Sequence, residues 1–190
     1  HQKDPVLVEI LKERNVKSGI VFTSRKRTVA QITRVLRKAG IECDRISSDL
    51  EQNEREQVML AFRQRKIPIL VATDVVSRGI DIDNIELVIN YDVPPNEEDY
   101  VHRIGRTARA DRDGEGITLV SPEDQHRFKK IEKLIEREVP KLPIPDGLGE
   151  GPEYTGRSTG GGGRGGDRRG GARRSGGGRS RGRGRAPGGN

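Results

Sequence analysis

The chain has 190 residues, of which 31% are hydrophobic, enough for one globular domain with a core and hardly for two. Its one cysteine, Cys43, excludes an internal disulfide and a cysteine-built zinc site, and no run of residues approaches the length of a membrane span. The net charge of +7 is divided sharply: residues 156–190 hold ten arginines and one acid, Asp167, a net of +9, which leaves the preceding 155 residues at −2.

Helical and strand patterns alternate along the body. Asp4 and Pro5 are placed to open a first helix as N-cap and first helical residue, with Val6, Ile10 and Leu11 at helical spacing. Residues 19–23 (GIVFT) form a short apolar run rich in β-formers, the pattern of a buried strand. Val29, Ile32, Val35 and Leu36 predict an amphipathic helix that Gly40 ends. A second strand is expected over 41–46, with Cys43 as a small strand residue without a redox role. Arg55, Val58, Met59 and Phe62 mark a third helix, 67–72 (IPILVA) a third strand and 86–91 (ELVINY) a fourth. A helix carrying His102 follows, then a strand over 116–120. A last helix is expected over 122–138, with Phe128, Ile131, Leu134 and Ile135 inward.

Strands separated by helices call for a parallel sheet covered on both faces, with right-handed crossovers and ligands at its carboxyl edge. That edge collects Ser24, Arg25 and Lys26 after the first strand, residues 49–55 after the second and 73–81 after the third. In 73–81, the Thr73 hydroxyl and strand-end N–H groups can hold a phosphate oxygen, and Gly79 lets a ligand approach the backbone. Asp81 can accept hydrogen bonds from ribose hydroxyls. A helix N-cap at Thr73 or Asp74 followed by an ordinary turn fits that segment equally well.

The densest signal is 100–109 (YVHRIGRTAR), three arginines and a histidine with no carboxylate between Asp99 and Asp111. On a continuous helix His102, Arg106 and Arg109 share one face. Cations clustered this way repel one another unless an anion completes the site, and phosphate suits forked guanidinium groups best.

Together these segments resemble the DEAD-box ATP-dependent RNA helicases, in the C-terminal of their two RecA-like domains. The resemblance runs from Val16 to Ser121. Residues 19–24 are similar to the family's motif IV, Gln52-Asn53-Glu54-Arg55 to its QxxR element, 73–81 to motif V, 88–94 to the segment after it, and 102–109 to motif VI. With its Gly/Arg-rich tail the chain is most similar to bacterial RhlE-like members. Two departures stand out: Ser47-Ser48 replaces the His-Gly pair common before QxxR, and Ala108 replaces a frequent glycine of motif VI.

The resemblance implies an α/β fold, a RecA-like three-layer sandwich with a mainly parallel sheet, over residues 1–139. A linker over 140–155 and a disordered Gly/Arg-rich RNA-binding tail over 156–190 would follow. The tail has almost no apolar side chains to offset its ordering entropy, and its guanidinium groups make a non-specific phosphate binder; a plain solubilising end is the alternative. Arg106 and Arg109 would reach the γ-phosphate of ATP held by the N-terminal RecA-like domain, at least one as an arginine finger. Asp81, Gly79, His102 and Arg103 would complete the nucleotide side. Ser24, Arg25, Gln52, Arg55, Thr73 and Arg78 would touch the RNA sugar-phosphate backbone, with weak sequence specificity. Mg²⁺ would be held mainly by the N-terminal domain, and no metal ligand is expected in this chain.

Simpler readings stand beside some of these roles. Arg103 could pair with Asp99 on the helix surface, Gln52 and Arg55 could be a solvated first turn, and His102 could be a packed core histidine. The sequence contains no phosphate-binding loop, no Asp-Glu-Ala-Asp element and no Ser-Ala-Thr element, so no appreciable ATPase or unwinding activity is expected of it alone. It begins with His1 and reads as a piece of something longer; the lack of a signal peptide points to the cytoplasm. Two other classes stay open: a non-catalytic RNA-binding or annealing module, and a superfamily-2 DNA helicase domain.

Overall fold

The computed structural model describes residues 2–73, 85–106 and 114–157. Among the described residues, five strands form one parallel sheet in the order β2-β3-β1-β4-β5. They are β1 (Gly19–Thr23), β2 (Cys43–Ile46), β3 (Ile69–Thr73), β4 (Leu87–Asn90) and β5 (Glu115–Thr118). The central strands β3, β1 and β4 are buried along their whole length. A strand covered on both faces has no side that can stay polar, which is why these three are written as unbroken apolar runs. The edge strands carry charge instead, at Asp44, Arg45 and Glu115.

Helices α1 (Lys3–Arg14) and α2 (Lys26–Lys38) cover one face, where Leu7, Leu11, Ile32 and Leu36 meet Val21, Val71 and Ile89. Helix α3 (Gln52–Arg63) covers the other face, packing Phe62 against Ile20, Phe22, Ile46 and Leu70. Helix α4 (Glu97–Ile104), a 3₁₀ turn (Pro122–Asp124) and α5 (Gln125–Leu134) gather around Val93, Tyr100, Phe128 and Ile131. This is the helix–sheet–helix sandwich expected of the sequence. No helix among the described residues is long and apolar enough to cross a membrane.

Helix α2 ends as expected on Gly40, at φ 78°, with the Ile41 N–H reaching back to the Leu36 carbonyl at 3.0 Å. Helix α1 differs from expectation. It starts one residue before Asp4, and Gln2 holds the cap position. The Asp4 carboxylate accepts instead from the Tyr91 hydroxyl at 2.6 Å and the Gln31 amide at 2.9 Å, tying α1 to the residue just after β4 and to α2.

Helix α5 stops at Leu134 rather than 138, because Glu136 turns left-handed, at φ 51°, and sends the chain back along the helix. The stretch expected to be a linker therefore lies against the domain. Ile144 and Leu148 pack on the α1 face, and the Tyr154 ring meets Phe128 edge-on at 6.2 Å. The buried Gln125 side chain accepts from the Thr155 N–H at 2.8 Å and the Gly156 N–H at 3.2 Å. Glu132, also buried, accepts from the Val139 N–H at 3.1 Å, the Tyr154 hydroxyl at 3.0 Å, Lys129 Nζ at 3.2 Å, and Lys141 Nζ. Burial pushes the Glu132 carboxyl up, but these donors outweigh it and hold its pKa at about 2.

Candidate nucleotide and RNA interface

Parallel pairing sets Thr23 beside Thr73 and Phe22 beside Asn90, so the carboxyl ends of β3, β1 and β4 form one rim. Asp92, just beyond β4, reaches back to β1. Its carboxylate accepts from Thr23 Oγ1 at 2.7 Å, from the Ser24 N–H at 3.0 Å and from Ser24 Oγ at 2.6 Å. The turn after β1 is thereby fixed, and the Ser24 hydroxyl proton is committed to Asp92. Helix α2 then begins on exposed Arg25, with no side-chain cap and no acid in its first turn. Its N-terminal N–H groups and the exposed Arg25 and Arg27 make a basic rim suited to an anion, while Lys26 Nζ donates to Asp49 Oδ1 at 3.0 Å.

The QxxR element opens α3. Glu51 and Glu54 form a capping box, with the Glu51 N–H donating to Glu54 Oε2 at 2.9 Å. Gln52 is exposed, and its Nε2 donates to Glu56 Oε1 at 2.8 Å. Arg55 is half-buried and makes no side-chain hydrogen bond or ion pair with the described residues. Thr73 is buried at the end of β3.

Arg103 stands where an arginine is least expected. It is 1% exposed, the largest fully buried side chain among the described residues. Its Nη1 donates to Asn90 Oδ1 at 3.0 Å and to the Asp92 carbonyl at 3.4 Å, and its guanidinium lies 5.5 Å from the Phe22 ring centre. Asn90 in turn donates from Nδ2 to Thr118 Oγ1 at 3.1 Å. Asp99 is buried too, so the reading of Arg103 and Asp99 as a helix-surface pair does not hold. Arg103 faces the inside of this domain and clamps α4 to the ends of β4 and β1.

Helix α4 ends at Ile104, earlier than a shared face for His102, Arg106 and Arg109 requires. Gly105 caps it with an N–H to the Val101 carbonyl at 2.8 Å, and the Arg106 N–H tightens onto the Arg103 carbonyl at 3.2 Å. Ile104 is wedged against β5: a Cβ built on Gly116 would lie 2.6 Å from Ile104 Cδ1. Half-buried Arg106 therefore sits on the turn after the helix, while His102 is exposed on the helix itself. The expected site residues Arg78, Gly79, Asp81 and Arg109 lie outside the described residues, as does the tail from 158 onward.

Asn90 and Asp92, which the sequence pattern does not mark as site residues, join the motif IV turn to α4. The available signal was an asparagine inside the apolar run ELVINY, a residue that a strand buried on both faces keeps only when its amide has partners.

A parallel sheet with a cationic carboxyl rim and an internal arginine clamp defines a class. The chain matches the family of helicase conserved C-terminal domains over residues 2–111 and belongs to it. Its relatives within that class are DEAD-box proteins. DEAD-box ATP-dependent RNA helicase 10 of Arabidopsis thaliana is 41% identical over 144 residues, covering 76% of this chain and 32% of the relative. The solved E. coli DEAD-box protein SrmB, bound to regulator of ribonuclease activity A, is 35% identical with a TM-score of 0.73. That match covers 80% of this chain and 89% of the solved one. S. cerevisiae Dbp5 bound to RNA and ADP BeF3 is 32% identical with a TM-score of 0.71, over 76% of this chain and 39% of the solved one. The chain spans about a third of the length of the curated relatives it matches.

Proposed function

We propose that this chain is the C-terminal half of an ATP-dependent RNA helicase of the DEAD-box family, of the RhlE-like bacterial kind, working in the cytoplasm. The observation that carries the proposal is the rim itself: Arg25, Arg27 and Arg55 at the carboxyl edge, beside a turn locked by Asp92, on a fold shared with helicases. Cations held on rigid elements suit a polyanion, and contacts to sugar and phosphate fix register without reading bases.

In this reading Arg25, Gln52, Arg55, Thr73 and Arg78 bind the RNA backbone. Ser24 shapes their turn and offers its hydroxyl oxygen. Arg106 and Arg109 stabilise the charge that develops on the γ-phosphate, with Asp81 on the ribose and Gly79 and His102 beside it. Arg103 acts from inside by holding α4, and so Arg106, in place. These donors fit a nucleotide polyphosphate, since guanidinium and imidazole groups supply hydrogen bonds and positive charge where phosphate needs both. Bound ATP would supply the phosphoryl group whose hydrolysis resets the enzyme, with Mg²⁺ and the remaining phosphate contacts supplied by the N-terminal RecA-like domain. The basic tail, residues 156–190, holds further RNA without sequence preference. Alone, the chain is inactive as an ATPase. The Dbp5 relative bound to RNA and ADP BeF3 supports both ligands for this fold.

The test is RNA-stimulated ATP hydrolysis by the longer protein carrying Arg106→Ala and Arg109→Ala. Loss of an arginine finger lowers turnover by about 10³–10⁵. Unchanged turnover would remove the basis of the proposal. Stimulation by DNA duplexes as strong as by RNA would assign the domain to a DNA helicase.

A further inference from the structure

Among the described residues the sheet has an open edge at β2, and it is not a plain one. Helices α2 and α3 flank it on opposite faces, leaving a groove of about 700 Å³ with β2 as its floor. Two backbone groups of β2 point outward into this groove, and side chains stand in for the missing neighbour strand. The Cys43 carbonyl accepts from Arg37 Nε and Nη2 at 3.2 and 3.1 Å. The Arg45 N–H donates to Asp44 Oδ1 at 2.8 Å, and Arg37 Nη2 closes the plug on that same oxygen at 3.2 Å. A neighbouring strand would offer the same pair, one N–H to Cys43 and one carbonyl to Arg45.

We propose that this edge is a docking slot for an extended peptide that alternates acidic and apolar residues and adds a sixth strand beside β2. The two walls of the groove set that alternation. Cys43 packs in the α1–α2 core and Ile46 in the α3 core, so the strand period puts Arg45 on the α2 side. Arg34 and Arg37 of α2 line that same side. Arg34 and Arg45 are exposed and make no side-chain hydrogen bond or ion pair among the described residues. The opposite side carries Val58 and Ala61 of α3, with Leu50 and Ile67 at its ends; the polar Glu54 and Gln57 of α3 also line it, Glu54 accepting from the Glu51 N–H at 2.9 Å. A strand lying between the walls turns every second side chain to the arginines and the others to Val58 and Ala61.

Docking exchanges the plug for main-chain hydrogen bonds, so the two outward groups lose nothing, and Arg37 is freed to join the acidic side chains. Edge protection alone accounts for a short charged strand. It does not account for Val58, Ala61, Leu50 and Ile67 facing two arginines that have no partner among the described residues. RNA would use the arginines but neither the wall nor the outward N–H and carbonyl groups, so the groove favours peptide.

The experiment uses the 190-residue chain and a fluorescein-labelled peptide of about eight residues, alternating glutamate and valine, long enough to cover β2. The control has the same composition in two blocks. Binding is read by anisotropy, and the Arg45 amide by hydrogen–deuterium exchange. The alternating peptide is expected to bind about tenfold more tightly than the block control, and the Arg34→Glu/Arg45→Glu double variant to lose about that factor. A peptide alternating lysine and valine restores binding to this variant, which rules out a folding defect. The Arg45 amide exchanges more slowly in the complex, and Asp44→Ala, which opens the plug, tightens binding. Equal affinity for both peptides or an Arg45 amide unaffected by peptide overturns the proposal. So does a double variant that loses RNA affinity while peptide never binds.

Discussion

Asp92 holds Ser24 twice, through its N–H at 3.0 Å and its hydroxyl at 2.6 Å, and takes the buried Thr23 hydroxyl with the same carboxylate. The end of β4 therefore sets the shape of the turn after β1. Asp92→Ala strands the Thr23 hydroxyl and frees the turn, at an expected cost of about 2–4 kcal/mol. Ser24→Ala removes one bond of the set and costs about 1 kcal/mol. Urea unfolding of the two variants checks the ranking; equal costs would show that the carboxylate is not the anchor.

Arg103 and Arg106 are three residues apart and should fail in different ways. Arg103→Ala leaves Asn90 Oδ1 and the Asp92 carbonyl without their buried donor, and is expected to destabilise the domain by about 2–5 kcal/mol. Arg103→Lys recovers little of this, because an ammonium lacks the planar fork and its stacking on Phe22. Arg106→Ala, on a half-buried turn, should cost less stability than Arg103→Ala and show its main effect in hydrolysis by the longer protein. Thermal melts separate the two, and an Arg103→Ala variant melting with wild type sinks the clamp.

The difference between these arginines also marks how far the sequence could be read. Strands buried on both faces announce themselves, and GIVFT, IPILVA and ELVINY lie within a residue or two of β1, β3 and β4. The rim was legible because Ser24, Arg25, Gln52, Arg55 and Thr73 fall at strand ends or in the first turn of the following helix. The inside of the site was not. An arginine reads as surface until its acceptors are known, and those of Arg103 lie on β4 and just after it. The early end of α4 was hidden for a similar reason: Gly105 is tolerated within a helix, and only the packing of Ile104 on Gly116 decides the matter. The packing of 139–157 went unread because prolines and glycines suggested a linker. The apolar residues among them, Ile144, Leu148 and Tyr154, were the available signal.

Glu132 makes that packing pH-dependent. Its carboxyl is held at about 2 against a usual 4.5. A depressed pKa contributes stability fully above the unfolded value and loses it as pH falls from about 4.5 towards 2. The contribution at neutral pH is about 3 kcal/mol. Glu132→Gln should therefore be less stable than wild type at pH 7 by about that amount, with the gap closing as pH approaches 2. Melting curves across this range decide it. A gap that stays constant with pH would assign the loss to packing instead of charge.

RNA affinity should divide between rim and tail in a way that salt reveals. The first 155 residues carry a net −2, so long-range attraction for a polyanion comes from the tail's +9, while the rim acts locally at the strand ends. Each phosphate contact released contributes about 0.7 to the slope of log affinity against log salt for a single strand. Arg55→Ala, and separately Arg25→Ala, should each lower that slope by somewhat under one, and the two losses should add because the residues stand on different elements. Gln52→Ala removes a neutral group and should weaken binding without changing the slope. Removing residues 157–190 should lower the slope by several. Titrations of a single-stranded RNA at a series of salt concentrations measure all four variants. If the truncated chain kept the full slope, the rim alone would be neutralising the phosphates and the tail would have no part in holding RNA.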